Sequence, residues 1–106
     1  METKEQFVER MANATVKEMT PRRARLLRER MGIRLEDGDV RVDEEGILQV
    51  ATELAENFLD LMHSLKRRPG FTSTLDQLTV EEAVDLAKKV GSAMATRIVL
   101  TLTLEL

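Results

Sequence analysis

From Asp43 to Lys66 the sequence sets Ile47, Val50, Leu54, Phe58, Leu61 and Leu65 three or four residues apart. That spacing gathers all six on one side of an α-helix and scatters them over both faces of a strand. Asp43 supplies an N-cap, and Glu44 and Glu45 complement the positive end of the helix dipole. Lys66, Arg67 and Arg68 complement the negative end, and Pro69-Gly70 stops the helix. Ala51, Ala55, Leu59 and Met62 widen the apolar face until it is nearly two-sided. A 106-residue chain has little else with which to cover such a helix, since a chain of that size buries roughly two-thirds of its unfolded surface. The six seam residues are therefore the candidate oligomer interface. A competing reading makes Asp43 to Gly46 the turn of a hairpin joining Val40–Val42 to Ile47–Val50, because glycine weakens a helix interior.

Other helices follow from local signals. Thr3 with Gln6 forms a capping box, and Phe7, Met11 and Ala14 then recur at helical spacing to about Met19. Thr20 caps a second helix whose first residue, Pro21, loses nothing by lacking an amide hydrogen; it runs to about Met31, and Gly32 ends it. Asp37-Gly38 signals a turn, with Val40 to Val42 as a short extended segment. After a loop from Gly70 to Leu78, with a helical turn at Thr74 to Gln77, Thr79 and Glu82 form another capping box. Val80, Ala83, Val84, Ala87, Val90 and Met94 share one face of the helix it opens. Ile98, Leu100, Leu102, Leu104 and Leu106 then alternate with Val99, Thr101, Thr103 and Glu105, which reads as a C-terminal strand over 98–106; an uncapped helical continuation from Ala95 competes with it. A strand there would need Val40–Val42 or a second subunit beside it. The expected fold is a mainly α single domain over residues 1–106, a bundle of about four helices.

Composition narrows the chemistry. There is no cysteine, which removes disulfides and thiolate catalysis and fits a reducing compartment. No apolar run approaches the length of a membrane span, and Met1-Glu2-Thr3-Lys4-Glu5 lacks the basic and apolar regions of a signal peptide. The expected setting is cytoplasmic, with no membrane contact. Phe7, Phe58 and Phe71 are the whole aromatic complement, too few for base stacking or an aromatic ligand cage. The five glycines form neither a dinucleotide fingerprint nor a P-loop, and no serine has a nucleophile-elbow context. Glu56, Asp60 and His63 lie along one helix face, but Asp60 stands where helix-bundle metal sites use glutamate and such sites also need carboxylates from other helices, so they read as an exposed helical Asp–His pair. Neither metal, cofactor nor catalytic residue is expected, and the chain reads as a non-enzyme.

Charge is sorted along the chain although the net value is only −3. Residues 16–34 carry seven basic and two acidic groups; residues 35–60 carry one basic and nine acidic. Such neighbours can neutralise one another within the fold or between copies. Arg22, Arg23, Arg25, Arg28 and Arg30 surround a helix whose apolar stripe is Ala24, Leu27 and Met31, and guanidinium forks suit phosphate and carboxylate alike. The leading expectation is a self-associating interaction or assembly module, a homo-oligomer that could also engage another protein. The alternative is a DNA- or RNA-binding regulator that uses the arginine-rich helix 21–31, against which the negative net charge argues.

Overall fold

The computed structural model describes residues 2–66 and 77–106. In chain order it has α1 (Lys4–Lys17), α2 (Pro21–Arg30), β1 (Arg34–Glu36), β2 (Asp39–Arg41), α3 (Glu44–Lys66) and α4 (Val80–Leu104). The stop signals expected at residues 67–70, and the loop expected from Gly70 to Leu78 apart from Gln77 and Leu78, lie outside the described residues.

Helix starts follow the capping chemistry. Thr3 Oγ1 accepts the Gln6 amide at 3.1 Å and the Gln6 side chain accepts the Thr3 amide at 2.9 Å. Thr79 and Glu82 repeat this reciprocal pair at 3.1 Å in both directions. Thr20 accepts from the Arg23 amide, with Pro21 in the first turn of α2. Asp43 accepts from the Glu45 amide at 3.1 Å, which opens α3 and excludes a hairpin turn over residues 43–46.

The two long helices, α3 and α4, form an antiparallel pair, and α1 lies along α4 in the same direction, as the ion pairs Lys4–Glu82 and Glu9–Arg97 show. The interior has two layers. Phe58, Met62, Leu86 and Val90 fill one, against Phe7 and Met11 of α1; the Phe7 and Phe58 rings meet at 5.9 Å between centroids. Met31, Val50, Ile98 and Leu102 fill the other, with Ala24, Leu27 and Ile33 arriving from α2 and the segment after it. The result is elongated, 53 × 24 × 23 Å.

Two glycines, Gly46 and Gly91, lie where helices pack too closely for a β-carbon. Gly46, in the first turns of α3, lies against the end of α2: a β-carbon there would sit 3.1 Å from the Arg30 carbonyl carbon and still closer to its oxygen. The residue that weakens the helix by propensity is thus what lets α2 pack across its start. The Asp43 amide also donates to the Met31 carbonyl at 2.7 Å, tying the same two elements.

The C-terminus corrects the sequence reading. Residues 98–104 continue α4 and do not form a strand. Ile98 and Leu102 are fully buried, one helical turn apart, extending the inward face of Val90, Gly91 and Ala95; Leu100 and Leu104 are 56% and 87% exposed. Extending an already capped helix adds a hydrogen bond for each residue fixed, whereas a strand needs a neighbour to bond to. Packing against α2 and α3 thus overrides the strand preference of the β-branched residues.

Candidate interaction surface

The central seam is largely spent inside the chain. Val50 and Phe58 are buried, and Ile47, Leu54 and Leu65 are half-buried, all without a second copy. Leu61 is 52% exposed, while Ala55 and Met62 are buried. A strict seven-residue repeat assigns the inward position to Leu61; a straight helix of 3.6 residues per turn drifts from that repeat, and here the drift carries the contact to Met62.

The five arginines divide into two groups. Arg30 meets Glu53 of α3 at 2.5 Å, and Arg28 reaches Glu105 at 3.4 Å. Arg28 thereby sets a positive charge at the C-terminal end of α4, whose own last turn has no basic residue. Its Nε is buried and has no hydrogen-bond partner among the described residues. Arg22, Arg23 and Arg25, on the first half of α2, are exposed and make no ion pair among the described residues. The acidic stretch after α2 therefore neutralises the basic one at two points among the described residues, Arg30–Glu53 and Arg34–Glu36.

The sequence reading missed a strand. Val40 belongs to β2, but β2 pairs with β1 immediately before the turn, in the register Arg34↔Arg41, Leu35↔Val40 and Glu36↔Asp39. Asp37 and Gly38 both have positive φ, 53° and 82°, as a two-residue type I′ hairpin turn requires. The signal was available: Asp-Gly is flanked by Arg-Leu-Glu on one side and Asp-Val-Arg on the other. Every residue of both strands is exposed, so neither face of the hairpin is buried by the described chain.

Exposed apolar side chains concentrate at this end of the molecule, where α2, the hairpin, the start of α3 and the end of α4 meet. Eight of the ten large apolar side chains exposed among the described residues lie here, among them Leu26, Leu35, Val40, Leu48 and Leu100. Glu56, Asp60 and His63 are all exposed on α3, and His63 borders an open groove with Leu59, Met62, Val80 and Ala83. Among the described residues no three His, Cys, Asp or Glu side chains converge as metal ligands would, and no helix is long and apolar enough to cross a membrane.

Comparison with protein families, with curated proteins and with solved structures finds no match to this chain.

Proposed function

We propose that this protein is a non-enzymatic self-associating module, a homo-oligomer whose contacts use the end of the bundle that carries α2 and the hairpin. The observation that carries the reading is the concentration of exposed apolar side chains at that end among the described residues, together with a hairpin exposed on both faces. Isolated exposed leucines are ordinary, but apolar side chains gathered on one part of a small surface mark contact sites. Opposite charges beside them, with Arg22, Arg23 and Arg25 on α2 and Glu44 and Glu45 opening α3, suit contact between like copies. Self-association through this end requires no part of the seam already buried at Val50 and Phe58. Sedimentation or light scattering at micromolar concentration tests it: the expected mass is at least twice the 12.0 kDa of the chain, and a monomer would overturn it.

A second reading has an observation of its own. The three exposed guanidinium groups on the first turns of α2 can contact phosphate, and a DNA- or RNA-binding regulator would use them. Salt titration of binding to duplex DNA tests this, since replacing an arginine that neutralises a phosphate lowers the salt slope by about one. Binding that is absent, or insensitive to salt, dismisses it.

A further inference from the structure

We infer that two copies of this chain join edge to edge through β2, antiparallel about a two-fold axis at Val40, with Asp39 of each copy facing Arg41 of the other. The inference rests on the self-association proposed above and names its contact.

It begins from backbone phase. In a hairpin closed by a two-residue turn, Glu36↔Asp39 exchange hydrogen bonds across the narrow pair, as do Arg34↔Arg41, so the peptide groups of Leu35 and Val40 point outward along the two open edges. Val40 can therefore form a hydrogen-bonded pair with Val40 of a second copy. In antiparallel pairing the positions flanking such a pair are the non-hydrogen-bonded ones, where opposed side chains come closest. With the axis at Val40 those positions set Asp39 against Arg41 twice. The order acid, valine, base reads as its own complement when reversed.

The hairpin also has reason to take a partner. A lone two-stranded hairpin is marginal in water, whereas a sheet of more strands with an apolar face is stable. Leu35 and Val40 are cross-strand partners on one face, 56% and 44% exposed, and joining two hairpins doubles that apolar row. The β1 edge has the same symmetry, in Arg34-Leu35-Glu36, but its arginine is committed: Arg34 donates to Glu36 at 3.1 Å and to the Gly32 carbonyl at 2.8 Å. On β2 the Arg41–Asp39 ion pair is 3.8 Å apart, too long for a hydrogen bond, which leaves both groups for the facing strand.

The full-length chain tests this with two sets of variants. Asp39→Arg and Arg41→Glu each set like charges against each other in a homodimer, and each is expected to raise the dimer dissociation constant about tenfold or more. Mixed in equal amounts, the two variants restore both opposed pairs, and the heterodimer is expected to form with the affinity of the unchanged protein. Because the chain has no cysteine, Val40→Cys and Leu35→Cys give an independent readout. A hydrogen-bonded antiparallel pair holds its Cα atoms about 5.5 Å apart, within disulfide reach. Val40→Cys is expected to form a covalent dimer on mild oxidation, and Leu35→Cys is not. If sedimentation shows the unchanged protein to be a dimer while Val40→Cys stays uncrosslinked and the mixture behaves like its components, this edge is wrong and the self-association stands. Crosslinking through Leu35→Cys in place of Val40→Cys overturns the choice of strand. A monomer under all conditions overturns both readings. Unchanged helical circular dichroism in each variant ties the outcomes to the contact and not to the fold.

Discussion

Gly91 of α4 lies directly against Ala55 of α3: a β-carbon on Gly91 would stand 2.9 Å from the Ala55 β-carbon and equally close to its amide nitrogen. The two long helices meet nearly backbone to backbone at this point, the Ala51 carbonyl oxygen lying closer still, with Ala87 as a small neighbour. Gly91→Ala should therefore destabilise the protein even though alanine favours a helix by about 1 kcal/mol over glycine. Overpacking of a tight interior costs about 1–3 kcal/mol, and urea denaturation is expected to show a net loss. A gain in stability would mean that α3 and α4 can separate freely.

The last turns of α4 give a contrast within one segment. Ile98→Ala and Leu102→Ala remove fully buried side chains, and each should cost about 2–5 kcal/mol. Leu104→Ala removes an 87% exposed side chain and should leave the unfolding midpoint of the monomeric fold unchanged. In a strand, residues 98, 102 and 104 would share one face and respond alike.

The α4 capping box sets an acid limit. The Thr79 backbone amide, and then its side chain, hold the Glu82 carboxyl below its ordinary value of 4.5, with Lys4 adding a smaller push. A carboxylate whose pKa falls on folding contributes stability in full above the unfolded value. That contribution is lost as pH drops from about 4.5 through the lower folded value. Glu82→Gln should flatten the pH dependence of the melting temperature in that window, and the lost contribution should show as a lower melting temperature near neutrality. Thr79→Ala removes the cap itself, and should cost about 0.5–2 kcal/mol at neutral pH.

Reversing arginines should separate their roles. Arg30→Glu faces Glu53 and Arg28→Glu faces Glu105. Each exposed pair is worth about 0–1 kcal/mol, so the double reversal should lower the melting temperature by clearly more than either reversal alone. Reversing Arg22, Arg23 and Arg25 together should leave the melting temperature of the monomeric fold unchanged, because they make no ion pair among the described residues, and should instead weaken self-association.

Helices were legible wherever a local signal was complete. Thr3, Thr20, Asp43 and Thr79 each open a helix with a side-chain oxygen on a nearby amide, a contact spanning two or three residues. The end of α4 was not legible, because alternation of Leu and Thr is also what a helix shows when one of its faces, at Leu100 and Leu104, stays bare. Nor could periodicity say which copy of the chain covers α3. That depends on Gly46 and Gly91, whose use as contact points is visible only once α2 and α4 are laid against them. In the arginine helix the composition was plain, but the separation of Arg28 and Arg30 from the other three is a matter of which side meets Glu53 and Glu105.

The shallow seating of α1 sets the order in which the fold opens. It buries only Ala12 and Thr15 fully, and it docks on α4, nearly the whole chain away in sequence. Releasing it uncovers the half-buried Phe7, Val8 and Met11 but leaves the packing of α2, α3 and α4 around Val50, Ile98 and Leu102 in place. Amide hydrogens of α1 are thus expected to exchange with solvent by local detachment, ahead of those of α4 around Val90 and Ile98, whose exchange waits on global unfolding.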